Sequence, residues 1–231
     1  MKILFTRGLY HGHTEGRERK PKQFQQDYLA DTVLHGFKSL FGQDVIDAPR
    51  IWSLYKSEFI TNHSTMECYG RGFTTSNLLS DEYDNVDRTD IEQKIKAKYF
   101  DLIVFSCVDL NTPYRQLVLD TYPRNQIISL DGHDIIQCQQ DLVYKTIYFK
   151  RELPWKYENL FPISFSFPKE KIQPRIEKEK LLSHIIPGGS EKHVYTIEKE
   201  YYDEYGKSIF GITHKKAGWD CMRHYEIMAN H

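Results

Sequence analysis

Apolar residues first gather at positions 2–6, a run of strand length that meets Arg7 and Gly8 at once, as a buried strand meets its turn. A polar, Gly- and Lys-containing stretch follows over 11–22. Tyr28, Leu29, Val33, Leu34, Phe37, Leu40 and Phe41 then recur at helical spacing, and Gly42 stands where a helix C-cap glycine belongs. Residues 44–47 form a second short strand, stopped by Pro49. Strand, helix, strand in this order predicts the opening of a parallel α/β sheet. After a long irregular stretch the pattern resumes. The spacing predicts a helix over 91–99, and 101–108 is nearly continuously apolar, as expected of a strand covered on both faces. A short helix over 114–122, a strand over 126–130 ending at Asp131 and Gly132, and a further strand over 143–149 complete the series.

Pro162, Pro168 and Pro174 punctuate a stretch without periodicity, which reads as a connection between domains. Beyond it, apolar runs at 181–186 and 209–213 alternate with helical patterns at 194–205 and 221–229. The reading is an α/β protein with a Rossmann-like domain over 1–165 and the first part of a second one over 166–231. A unit of about 65 residues is marginal on its own. The second domain is therefore expected to be completed by further sequence or by a partner chain.

Composition narrows the function classes. Hydrophobic residues make up 40% and charged residues 27% of 231 residues, which is ordinary for a folded core. The formal net charge is −1 with the signs interspersed, so no basic field points to nucleic acid. Sixteen Tyr and thirteen Phe suit either packing or stacking on sugars and bases. The four cysteines form no C-x-x-C pair, and His11 and His13 lack a third ligand nearby, so the reading calls for neither a metal nor a disulfide framework. No run approaches the ~20 apolar residues of a membrane span, and residues 1–6 do not read as a signal peptide. A cytoplasmic location is the expectation.

The segment Gly218-Trp-Asp-Cys-Met-Arg-His-Tyr-Glu-Ile-Met-Ala-Asn230 resembles the R-x-x-E-x-x-A-x-G signature of GT-B glycosyltransferases of the group 1 type, departing from it at His231, where the family has Gly. The stretches 25–49, 69–75, 131–134, 148–153 and 161–168 resemble, in the same order, segments of uncharacterised bacterial and viral relatives of those enzymes. The resemblance implies an acceptor-binding first domain and a donor-binding second domain. It also implies transfer of a sugar from a nucleotide-diphosphate donor to a hydroxyl of a glycan or other acceptor. It assigns Glu226 to the donor ribose and Arg223 to the diphosphate. The chemistry suits the residue types: a carboxylate accepts from two vicinal hydroxyls, a guanidinium fork matches phosphate oxygens, and residues three apart share a helix face.

Further candidates follow strand ends, where open parallel sheets bind ligands. Arg7 and Gly8 read as an acceptor- or phosphate-facing loop or as an ordinary turn. Asp131 and His133 read as general-base candidates or as an Asx turn. Lys150 and Arg151 read as a contact to donor phosphates or as a solvated pair. Arg71 and Gly72 read as a ligand-facing loop or an exposed one. Trp219 reads as an anchor for the helix after it, or as a stacking surface for a base. The absence of a G-x-G-x-x-G argues against a nicotinamide cofactor. Two rivals to the enzyme remain on sequence grounds: a non-catalytic glycan- or nucleotide-binding protein, and a structural or assembly protein built on the same scaffold.

Overall fold

A computed structural model describes residues 1–9, 12–14, 17–19, 26–56, 73–153, 156–187, 195–215 and 217–230. Its centre is a six-stranded sheet built from β1 (Ile3–Arg7), β4 (Val45–Asp47), β5 (Leu102–Ser106), β6 (Ile127–Asp131), β7 (Ile147–Lys150) and β8 (Leu160–Pro162). The spatial order is β4-β1-β5-β6-β7-β8, and every pair is parallel. A small antiparallel hairpin, β2 (Gly12–Thr14) and β3 (Arg17–Arg19), lies between β1 and the first helix in the chain.

Parallel neighbours need a crossover, and the helices supply it on both faces. Alternate side chains of each strand point to opposite sides. Ile3, Phe5, Val45, Val104 and Leu130 pack with Leu29, Ala30 and Leu34 of α1 (Tyr28–Phe41). Leu4, Ile46, Ile103, Phe105, Ile127 and Tyr148 face the other way, onto α2 (Ile91–Lys96), α3 (Arg115–Thr121) and α4 (Gln140–Val143). This is a doubly wound α/β architecture, compatible with a Rossmann-like fold. Helix α1 starts at Asp27, whose side chain accepts from the Ala30 amide at 2.8 Å. It ends at Gly42, whose φ of +57° suits a residue without a Cβ.

Two elements differ from the sequence expectation. The strand expected over 143–149 begins only at Ile147. Leu142 and Val143 instead lie in α4, and the Thr146 hydroxyl donates to the Leu142 carbonyl at 2.9 Å. The apolar stretch was long enough for a strand but is divided between a helical turn and a strand. The proline-punctuated stretch contributes β8, which extends the sheet beyond β7. Pro162 is tolerated because it closes an edge strand, where a missing N–H costs no ladder bond.

After β8 come β9 (Lys180–Leu182), α5 (Glu198–Gly206), β10 (Ser208–Phe210) and α6 (Met222–Ala229). β9 and β10 pair in parallel as a separate two-stranded sheet. On that small sheet Leu181, Leu182, Ile209 and Phe210 are exposed. Among the described residues no helix is long and apolar enough to cross a membrane.

The two glycines of the α1 region make opposite predictions. An added methyl at Gly36, inside the helix, meets no atom within 4 Å. Gly36→Ala is expected to raise the unfolding free energy by about 1 kcal/mol, and Gly42→Ala to lower it by about 1 kcal/mol. Urea titration reads both, and shifts of the same sign would overturn the assignment of Gly42 as a positive-φ cap.

Candidate functional site

In an open parallel sheet the carboxyl ends of the strands face one edge, and ligands bind where the winding reverses. Here that reversal lies between β1 and β5, since β4 follows β1 outward and β5 returns on its other side. Arg7, Ser106, Asp131 and Lys150 are the last residues of β1, β5, β6 and β7, so all four stand at that edge.

On the β1 side, Arg7 is 6% exposed and its Nη1 donates to Asp31 Oδ1 of α1 at 3.0 Å. Asp31 Oδ2 also accepts from the Asp27 amide at 3.2 Å. Burial pushes the Asp31 carboxyl up to about 7, against the pull of Arg7 and with help from the charge of Asp27. Arg7 Nη2, equally buried, meets no acceptor among the described residues. Gly8 follows in close contact with the β5 loop. Its amide donates to Ser106 O at 2.8 Å, and a Cβ there would run into the Cys107 carbonyl and lie 2.8 Å from Leu110 Cβ. Cys107 itself turns with φ +50°, which is uncommon for a residue with a side chain. That turn carries the exposed Asp109 over the strand ends. Partial burial raises the Asp109 carboxyl; His133 opposes the rise, while Asp131 and Asp27 add to it.

On the β6 side, Asp131 is 1% exposed and holds three donors. It accepts from Tyr148 Oη at 2.6 Å, Lys150 Nζ at 2.9 Å and the His133 amide at 3.1 Å. Lys150 is fully buried and also donates to His133 O at 2.9 Å. Arg151 is the hub of the next layer. It donates to Gly132 O at 3.0 Å, to Glu152 Oε1 at 2.9 Å, to Asp134 and to the Asp220 carbonyl, with its guanidinium 4.5 Å from the Phe165 ring centre.

That hub brings in the segment before α6. The Asp220 carboxylate accepts from the Phe165 amide at 3.0 Å and from Tyr225 Oη at 2.8 Å. Gly218 lies so close that an added Cβ would be 2.8 Å from Asp134 Oδ1. Within α6, Glu226 is 7% exposed. Its two oxygens accept from Thr74 and from Tyr201 Oη, the latter at 2.6 Å. Burial raises the Glu226 carboxyl, while Thr74, Tyr201 and Arg223 pull it down. Arg223 Nε is buried without an acceptor among the described residues.

The sequence candidates therefore separate into groups. Arg7, Gly8, Asp131, His133, Lys150 and Arg151 gather at one edge of the sheet, and 218–220 is tied to it. Lys150 and Arg151 are not a solvated pair: both are buried, and most of their donors are engaged by oxygens of the chain. Asp131 is likewise held by three donors. Glu226 and Arg223 lie against Tyr201 and Thr74, with Tyr202 Oη 3.3 Å from the Thr74 hydroxyl. Trp219 is 70% exposed beneath Lys215 Nζ, so it does not anchor α6; Asp220 holds that helix start instead. Arg71 and Gly72 lie outside the described residues. Sequence reasoning did not single out Asp27, Asp31 or Asp109. The four-residue spacing of Asp27 and Asp31 at a helix start, and the place of Asp109 just past a strand, were the available signals.

Among the described residues no group of three or more His, Cys, Asp or Glu side chains is arranged to hold a metal ion. Compared with known proteins, the chain matches no family model, no curated protein and no solved structure.

The Asp31 shift has a pH signature. Its folded value of about 7 lies above the ordinary 3.8, so its contribution to stability is whole below about 3.8 and is lost as pH rises through 7. The stability difference between the native protein and Asp31→Asn is expected to fall steadily across that window and to level off above it. Urea titrations at several pH values measure it, and a difference that grows with pH would refute the buried-acid assignment.

Proposed function

We propose that the chain is the acceptor-side domain, with the start of the donor-side domain, of a nucleotide-sugar-dependent glycosyltransferase of GT-B type. One observation carries this reading: residues 218–220, which open the segment resembling the donor motif, are bonded through Asp220 to Arg151 and Phe165 at the ligand-binding edge of the sheet. The exposed apolar residues of the β9–β10 sheet support a donor-side unit built out by further strands, on this chain or a partner.

In the proposed reaction the acceptor hydroxyl oxygen bonds to the anomeric carbon of the donor sugar. The bond from that carbon to the diphosphate oxygen breaks, and its electron pair leaves with the nucleoside diphosphate. The hydroxyl proton passes to His133, half-buried beside Asp131. Asp131 and Lys150 act by holding the 131–133 turn, and Arg151 by fixing that turn against residue 220. Arg223 supplies positive charge for the departing diphosphate, the dominant stabilising effect in such a step. Glu226 accepts from the ribose hydroxyls, in competition with Tyr201 and Thr74.

A second reading, a non-catalytic sugar- or nucleotide-binding protein, is favoured by the engagement of Asp131 with three donors of the chain, which makes it a part of the framework. Donor turnover separates the two.

The competition at Glu226 supplies the test. Calorimetry with UDP- and GDP-linked sugars is expected to show binding that Glu226→Gln abolishes. Tyr201→Phe, which releases one carboxylate oxygen, is expected to tighten binding about tenfold, equivalent to ~1.4 kcal/mol. Binding indifferent to Glu226→Gln would remove the donor assignment.

A further inference from the structure

Residues 163–171 follow β8 and run along α1. The Phe165 ring packs on Tyr28 at 5.8 Å, and Glu170 Oε2 lies 3.5 Å from His35 Nε2. Tyr28 and His35 are seven positions apart, so the segment follows the helix for about two turns. Its remaining contacts reach the later part of the chain. The Phe165 amide donates to Asp220 at 3.0 Å, and the Phe165 ring stands 6.4 Å from that of Tyr225. The Phe167 ring lies 6.3 Å from Tyr202, and Lys171 Nζ donates to Glu198 Oε1 at 2.5 Å. Residues 163–171 are thus a strap, held by α1 on one side and by α5 and α6 on the other.

We propose that His35 is an acid-operated release for this strap: with the imidazole neutral the strap lies shut along α1, and protonation lets it lift, withdrawing Phe165 from Arg151 and from the start of α6. The proposal stands apart from the glycosyltransferase reading and does not need it.

The geometry supplies the release. His35 is 9% exposed within α1, and its ion-pair partner among the described residues is Glu170. An imidazole is buried neutral at modest cost, but a buried imidazolium needs partners that replace the water it loses. At 3.5 Å, and with its side chain 42% exposed, Glu170 replaces that water only in part. Burial accordingly pulls the His35 imidazole below its ordinary 6.5; Glu170 opposes the fall, and Lys169, beside it on the strap, adds to it. The charged neighbours of His35 on α1 are committed elsewhere. Asp31 pairs with Arg7, and Lys38 donates to the Val45 and Tyr83 carbonyls.

When the strap lifts, His35 meets water and recovers its ordinary value. The lifted state then binds the extra proton, so linkage favours it as pH falls. Closure is whole above about 6.5 and is lost as pH drops from there through the lowered value of the shut state. The sign is opposite to that of Asp31, whose contribution is lost as pH rises, so direction alone separates the two.

Hydrogen exchange read by mass spectrometry on the full chain, with rates corrected for the pH dependence of the exchange chemistry itself, tests this. Between about pH 7.5 and about pH 5.5 the amides of 163–171 are expected to lose protection about fivefold, while those of 102–106 in the central sheet keep theirs. His35→Gln cannot take up a proton and is expected to abolish the loss. Glu170→Gln removes the carboxylate that favours the imidazolium in the shut state and is expected to deepen the loss. Glu170 is exposed, so this variant keeps the test open if His35→Gln does not fold. Protection that holds or grows on acidification overturns the proposal. So does a loss that survives His35→Gln, a loss that Glu170→Gln leaves unchanged, or a loss shared equally by 102–106, which is global unfolding.

Discussion

A guanidinium has five N–H donors in a fixed plane and cannot accept a hydrogen bond. Arg151 directs four of those donors at the Gly132 carbonyl, the Asp134 and Glu152 carboxylates and the Asp220 carbonyl, and lays its plane against Phe165. Phe165 in turn meets Tyr28 at the start of α1 and Tyr225 in α6, at ring separations of 5.8 and 6.4 Å. One side chain thereby fixes the turn after β6, the end of β7 and the segment that introduces α6. Lysine, with a point charge and a flexible stem, would not satisfy four acceptors from different parts of the chain. The functional reading depends on this joint, because together with the Phe165 amide and the Glu152 carboxylate it holds Asp220, and so the start of α6, at the sheet edge.

The edge is organised in two tiers. In the lower tier Asp131 is paired with Lys150 and Tyr148, as a buried charge must be if it is not to destabilise the fold. Removing either Asp131 or Lys150 leaves its partner's charge uncompensated, so the pair is retained for position whether or not it touches a ligand. In the upper tier Asp109 and His133 reach solvent from loops, and the scaffold below holds the loops still. That division suits transfer chemistry, where reacting groups need accessible lone pairs and fixed placement together.

The parallel sheet was legible because its strands are buried on both faces and read as short apolar runs. The run at 101–108 and the Asp27–Gly42 helix with its caps are the clearest cases. β8 was hidden by its prolines, which signal a linker in sequence but are harmless on a sheet edge. The start of β7 was hidden because Leu142 and Val143 belong to the core as helix residues, and apolarity does not record which element buries a side chain. At the site, sequence position past a strand end found Arg7, Asp131, His133, Lys150 and Arg151, since that rule depends on topology alone. It did not tell that Lys150 and Arg151 are committed to carbonyls and carboxylates of the chain. Those partners lie up to 69 positions away, as with Asp220, and pairings at that distance leave no local pattern.

Hydrogen-bonding capacity then separates framework from function. Asp131, Lys150 and Arg151 find their partners within the chain. Among the described residues Arg7 Nη2 and Arg223 Nε do not, although both are buried and both belong to groups that carry a full charge. A buried donor with no acceptor weakens a fold, so two such nitrogens, one at the end of β1 and one in α6, are costs that folding alone does not explain. Both are accounted for if a ligand's oxygens complete them. In the proposed reading Arg223 then faces the diphosphate of a donor. The Arg151 joint ties the turn after β6 to the start of α6, and in the proposed reading the unsatisfied Arg223 nitrogen beyond it is where the donor diphosphate would sit.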